Sequence, residues 1–177
     1  HTFLMGFEES YGYLIKPFVR DKDAIQALVV LAELTAYHKK KGRTLGDALE
    51  AMYAKYGYFL EKTISISFPG LSGAEQMKQI MQTIRTEGIK EMGGLKVVSA
   101  ADYLSATMTY ADGKESKLAY PSSDALKYVL EDDSWVAFRP SGTEPKIKLY
   151  LGVQGNSQAE VEEKAAKVEA DVRKLTQ

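Results

Sequence analysis

The 177 residues contain no cysteine. That excludes a disulfide scaffold and any thiolate metal site, and it fits a reducing compartment. An excess of one charge is also missing: Lys and Arg total 23 against 24 for Asp and Glu, a net charge of −1. Without a basic surplus the chain cannot neutralise a run of backbone phosphates, so no nucleic-acid partner is expected. Long apolar runs are absent as well. The longest, 24–36, is interrupted by Gln26 and Glu33 and is too short and too polar to span a bilayer, so no membrane partner is expected. The opening His1-Thr2-Phe3-Leu4-Met5 lacks the basic lead-in of a signal peptide, and the expected location is cytoplasmic. Histidine is scarce: His1 is terminal and His38 lies in a basic helix end, neither with a Ser or carboxylate partner in sequence. What the chain does have is 45% hydrophobic residues, and a chain of this length buries roughly 70% of its unfolded surface.

Periodicity organises the chain. A short apolar strand over 3–7 runs into a loop with Gly6, Gly12 and Pro17. A helix over 23–41 follows, its apolar residues wrapping most of its circumference, which predicts burial on most sides. Lys39, Lys40 and Lys41 suit the negative end of its dipole, and Gly42 can end it. Thr44 and Asp47 read as the capping box of a second helix. The opening strand has no companion nearby, and an unpaired strand leaves backbone donors and acceptors unsatisfied. Residues 1–57 therefore read as the remnant of a larger α/β domain, with the boundary at Gly57.

Beyond Gly57 the period changes to two. Leu60, Ile64, Ile66 and Phe68 share one strand face, and Pro69-Gly70 stops the strand. Ser72 and Glu75 read as a capping box for a helix carrying Met77, Ile80, Met81 and Ile84. Strands are expected over 95–104, 107–110, 118–120 and 135–139, with a short helix over 123–130. Ile147, Leu149, Leu151 and Val153 alternate along another strand, and a last helix has the stripe Val161, Ala165, Val168, Val172 and Leu175. The fold class is α+β: an antiparallel sheet of about four strands with helices on one face.

Two polar loops could carry chemistry. Gly6-Phe7-Glu8-Glu9-Ser10-Tyr11-Gly12-Tyr13 follows the first strand, at the end where α/β sheets bind ligands. There, a carboxylate (Glu8) and a hydroxyl (Ser10) two residues apart can reach adjacent hydroxyls of one sugar. The same residues also read as a solvated acidic turn. In Arg139-Pro140-Ser141-Gly142-Thr143-Glu144-Pro145-Lys146-Ile147-Lys148, a guanidinium fork, two hydroxyls, a glycine admitting close backbone approach and two lysines converge. Three or four such bonds, each about 1.5–3 kcal/mol to a charged group, can hold a phosphate dianion. The alternative is a hairpin turn with incidental basic residues. A Walker A loop is excluded by spacing. Asp132 and Asp133 could bind a cation but read equally as a solvated pair.

The two loops together, in this order, resemble the α-D-phosphohexomutase superfamily, and more closely its phosphoglucomutase/phosphomannomutase branch. The resemblance covers essentially the whole chain and implies the tail of domain 3 (1–57) followed by domain 4 (58–177), a TATA-box-binding-protein-like α+β domain. It implies sugar contacts from Glu8, Ser10 and, within Arg20-Asp21-Lys22-Asp23, from Lys22. It also implies phosphate contacts from Arg139, Ser141, Gly142, Thr143 and Lys148. The family's phosphoserine loop and its Asp-rich magnesium loop have no counterpart motif here, so no catalytic or metal residue is expected in this chain. Mg2+ and the activator glucose 1,6-bisphosphate would belong to the full-length parent, whose missing N-terminal domains and hexose phosphate substrate are the expected partners. Such a parent interconverts glucose 1-phosphate and glucose 6-phosphate, and the chain alone would be inactive. A phosphopentomutase or glucose-1,6-bisphosphate synthase of the same family fits the same loops, as does a non-catalytic anion-binding or interaction module.

Overall fold

The computed structural model describes residues 2–8 and 11–176. The chain divides into two compact units, His1–Tyr56 and Gly57–Gln177.

In the first unit two short strands, β1 (Gly6–Phe7) and β2 (Tyr13–Leu14), pair antiparallel. The opening strand is thus shorter than its apolar run suggests. It does have a companion, because the chain doubles back at Tyr11, whose φ is 65°. Helix α1 (Ala24–Lys40) begins where Asp23 turns the chain. The Asp23 carboxylate accepts from the backbone N–H of Ile25 (2.8 Å) and Gln26 (3.2 Å), satisfying two of the donors a helix start leaves open. The helix ends at Gly42 (φ 70°), whose N–H reaches the Lys39 carbonyl. Helix α2 (Leu45–Tyr56) starts with the expected reciprocal cap: the Thr44 N–H donates to Asp47 Oδ2 (2.7 Å) and the Asp47 N–H to Thr44 Oγ1 (3.1 Å). The expected burial of α1 is not seen. None of its residues is buried, and Ile25 and Leu28 are 71% and 62% exposed, because within this unit the elements α1 chiefly packs on are β2 and α2.

The second unit is a sheet with two helices. Its elements are β3 (Tyr58–Ser67), α3 (Gly73–Glu87), β4 (Glu91–Met92), β5 (Leu95–Asp102), β6 (Thr107–Tyr110) and β7 (Glu115–Lys117). They are followed by β8 (Leu126–Leu130), β9 (Trp135–Pro140), β10 (Lys146–Gly155) and α4 (Gln158–Leu175). The order across the sheet is β3-β10-β9-β8-β5-β6-β7, with β4 on β5, and every pairing is antiparallel. The expected class holds, with more strands than the four anticipated.

The helix expected over 123–130 is instead β8, inserted between β5 and β9. Leu126, Tyr128 and Leu130 alternate at period two and are all buried. Pairing on both sides supplies what a short helix could not, so tertiary context overrides the local pattern. The strand expected at 118–120 falls earlier, at β7, paired to β6. Ser72 makes no side-chain cap on α3.

One face of the sheet forms the core. Phe138 of β9, Ile147, Leu149, Leu151 and Val153 of β10, and Ile64 of β3 point to the same side as Met81 and Ile84 of α3. Val161, Ala165, Val168 and Val172 of α4 are fully buried there at i, i+4, i+7, i+11. Each valine contributes about 1.5–3 kcal/mol relative to exposure. Leu175, expected to extend that stripe, lies exposed at the helix end. The alternate residues of β9 and β10, Arg139 and Lys148 among them, fall on the opposite, helix-free face.

Candidate functional site

The predicted site residues fall into two groups, one in each unit. In the first unit Ser10 lies outside the described residues, so the first loop is seen through Glu8 and Lys22. The Glu8 N–H donates to the Gly12 carbonyl (3.0 Å), and the Asp23 N–H donates to the Tyr13 carbonyl (2.8 Å). This ties the residues ahead of α1 to the hairpin. The Gln26 side chain accepts from the N–H groups of Ile15 (3.2 Å) and Lys16 (2.7 Å) and donates to Asp23 (3.1 Å). So braced, Lys22 reaches back to Glu8, with its ammonium 3.7 Å from Glu8 Oε1 and 3.0 Å from Asp21 Oδ1. The Asp21 carboxylate, aided by Glu8, holds Lys22 above the ordinary lysine range.

Gly12 is what permits this approach: a Cβ there would stand 2.1 Å from Lys22 Cδ and 2.6 Å from Glu8 Oε1. Glu8, Gly12, Arg20, Asp21 and Lys22 line a cavity of about 220 Å³. A second cavity, of about 690 Å³, joins Glu8 and Lys22 to the apolar Met5, Leu28, Leu31 and Leu34. Carboxylates and an ammonium side by side offer acceptors and donors together, the set a vicinal diol needs.

In the second unit the loop 141–145 connects β9 to β10. The Ser141 N–H donates to the Lys146 carbonyl (2.8 Å), the Lys146 N–H to the Glu144 carbonyl (2.8 Å) and the Thr143 N–H to Ser141 Oγ (3.4 Å). Just past the end of β3, the Phe68 N–H donates to the Pro145 carbonyl (2.8 Å), which also braces the loop. Gly142 and Thr143 are exposed at its tip.

Register places Arg139 directly across from Lys148. Both leave the sheet on the helix-free side, since Phe138, Ile147 and Leu149 beside them are buried. Lys146 is bound to Glu144, and that pairing holds the Glu144 carboxyl below the usual range. Arg139 and Lys148 differ: among the described residues neither has an ion-pair partner within 4.0 Å, and Lys148 acts on Glu144 only at longer range. Like charges directly opposite on adjacent strands disfavour the fold. An anion between them removes that cost.

Of the remaining candidates, Asp132 has a structural role. Asp132 binds Lys164 (2.8 Å) and accepts from the Ser134 N–H (3.0 Å), which pins the β8–β9 turn to α4. Among the described residues no group of three or more His, Asp or Glu could hold a metal ion, and no helix is long and apolar enough to cross a membrane. Sequence reasoning missed Asp21, the closer partner of Lys22, and the steric role of Gly12. Adjacency to Lys22 was the only available signal for the first. Nothing in sequence marks the second.

The chain has counterparts among known proteins. Residues 75–171 match the family described as phosphoglucomutase/phosphomannomutase, C-terminal domain, and residues 1–56 match phosphoglucomutase/phosphomannomutase, alpha/beta/alpha domain III. The chain belongs to the phosphoglucomutase/phosphomannomutase family. A phosphoglucomutase of Staphylococcus epidermidis is 41% identical over 153 residues, which cover 86% of this chain and 28% of that protein. One from Staphylococcus aureus is 40% identical over 152 residues, covering 85% and 27%. The chain thus spans a little over a quarter of the length of these relatives. Among solved structures, the open form of pp63/parafusin, an exocytosis-sensitive phosphoprotein of Paramecium titled a phosphoglucomutase, superimposes with a TM-score of 0.61. The match is at 22% identity over 98% of this chain and 30% of that one, a likeness of fold.

Proposed function

We propose that this chain is the substrate-recognition part of a phosphoglucomutase-type isomerase that interconverts glucose 1-phosphate and glucose 6-phosphate, and that it has no activity by itself. The observation that carries this is the pair Arg139 and Lys148, directly opposed and without an ion-pair partner among the described residues, beside the Ser141-Gly142-Thr143 turn. Arg139 offers a planar fork to two phosphate oxygens and Lys148 a point charge, while Ser141 and Thr143 add hydroxyls and Gly142 an unobstructed backbone. Glu8, Ser10 and Lys22 bind the sugar hydroxyls. A donor–acceptor pair aimed at two adjacent hydroxyls accepts the sugar in both orientations, because the hydroxyls exchange places when it turns over. That is what moving a phosphate between two positions of one sugar demands.

In phosphoryl transfer the protein mainly positions groups and neutralises charge, and this chain does the positioning. Magnesium would be engaged elsewhere in the intact enzyme, and no step of this chain's work passes through it; glucose 1,6-bisphosphate, the activator, presents the same hydroxyl and phosphate groups to these two loops as the substrate does. The relatives named phosphoglucomutase, which the chain covers over about a quarter of their length, support this reading.

The test is Arg139→Ala in the intact enzyme. We expect kcat/KM for glucose 1-phosphate to fall by about 30- to 1,000-fold, ~2–4 kcal/mol of transition-state stabilisation. An unchanged value removes the phosphate role. Assaying ribose 1-phosphate in parallel separates a hexose from a pentose mutase.

A further inference from the structure

We propose that Ser65 is a third group of the anion site, its hydroxyl donating to the phosphate that Arg139 and Lys148 hold. The inference rests on the phosphate-binding reading above and extends it to a strand some seventy residues earlier in the chain. β3 pairs with β10 so that Ser65 faces Lys148, and β10 pairs with β9 so that Lys148 faces Arg139. The three residues therefore form one row across three adjacent strands.

All three leave the sheet on the helix-free side. Ser65 lies between Ile64 and Ile66, which pack on the core, and is exposed. Opposed Cβ atoms in antiparallel strands stand about 4.5–5.5 Å apart, and Lys148 is half-buried, so an anion that it holds against the sheet lies within reach of the Ser65 hydroxyl. Among the described residues that hydroxyl has no hydrogen-bond partner. The next row outward opposes Ser67 to Lys146, but Lys146 is committed to Glu144. The row inward, Thr63, Tyr150 and Ala137, has no cation on these three strands, and Lys127, which continues it on β8, lies over the Trp135 ring. Of these three rows, among the described residues, the Ser65 row alone combines an uncommitted hydroxyl with uncommitted cations. Two cations attract any anion; a hydroxyl fixed on a strand adds a donor of defined direction, favouring an oxyanion with several acceptor oxygens.

The experiment compares Ser65→Thr with Ser65→Val in the intact enzyme. Both are strong strand formers of nearly the same shape, and only the first keeps the hydroxyl. The expected result is a kcat/KM for glucose 1-phosphate within about twofold of wild type for Ser65→Thr and about tenfold lower for Ser65→Val. In an Arg139→Ala background the gap between the two should shrink below about threefold, because both groups serve one phosphate. Equal activity of the two variants, with Arg139→Ala impaired, overturns the role of Ser65 alone. A tenfold gap that persists in the Arg139→Ala background also overturns it, since Ser65 would then act independently of the phosphate. If Arg139→Ala itself is unimpaired, the phosphate reading fails and Ser65 with it.

Discussion

The two loops solve opposite electrostatic problems. Around Glu8 the charges are paired internally, with Lys22 between Asp21 at 3.0 Å and Glu8 at 3.7 Å, and any ligand there must exchange with contacts already made. Around Arg139 two cations face each other across neighbouring strands with no carboxylate partner among the described residues. A neutral polyol needs donors and acceptors in balance, whereas a dianion needs uncompensated positive charge. The difference, a balanced donor–acceptor set in one unit and uncompensated positive charge in the other, fits the roles proposed for the two loops.

The sharpest way to test this contrast uses adjacent residues of β9. Phe138 is fully buried, with its ring 6.0 Å from Tyr128 in a T-shaped contact, and Arg139 leaves the opposite face. Phe138→Ala should cost ~3–5 kcal/mol of stability, read from denaturant unfolding. Arg139→Ala should lose catalytic efficiency with its unfolding midpoint preserved. A large stability loss at Arg139 would mean that the guanidinium holds the sheet together.

Next in size, Glu8→Gln in the intact enzyme removes the charged acceptor while keeping the shape. We expect about a tenfold loss in kcat/KM, on the order of 1.5 kcal/mol, the lower range for a hydrogen bond to a charged group. Wild-type kinetics would show that the loop is merely a solvated turn. Lys148→Ala should weaken substrate binding and leave stability unchanged or raised by a few tenths of a kcal/mol, because a like-charge opposition is relieved. A clear fall in melting temperature would contradict that picture.

The smallest effects distinguish the two glycines. At Gly142 a Cβ meets nothing within 4 Å, so Gly142→Ala should leave stability within about 0.5 kcal/mol. Gly12→Ala must push Lys22 away from Glu8, and substrate affinity should fall although both displaced groups are side chains. Thermal melts together with KM values check the pair.

Much of the second unit was legible in the chain. The alternation along β10 and the stripe on α4 identified core residues, because burial on one face leaves period-two and period-3.6 traces. β8 was not legible. Five residues with flanking polar loops suit either a short helix or a strand, and only the two neighbours that pair with it decide between them. The apolar circumference of α1 predicted burial, yet the helix is exposed within its unit, since periodicity states what a helix can bury and never what covers it.

By itself the sequence determined the residue types of both loops, the helix caps at Asp23 and Thr44, and the charge balance that argues against nucleic acid. These depend on neighbours in the chain, within the reach of a side chain to its own backbone. Tertiary structure alone decided that Lys148 stands between Arg139 and Ser65, that Lys146 is spent on Glu144, and that Lys22 folds back onto Glu8 over Gly12. Register and close approach are set by which strands pair and how the chain doubles back, and that information is spread over the whole molecule rather than written at any one position.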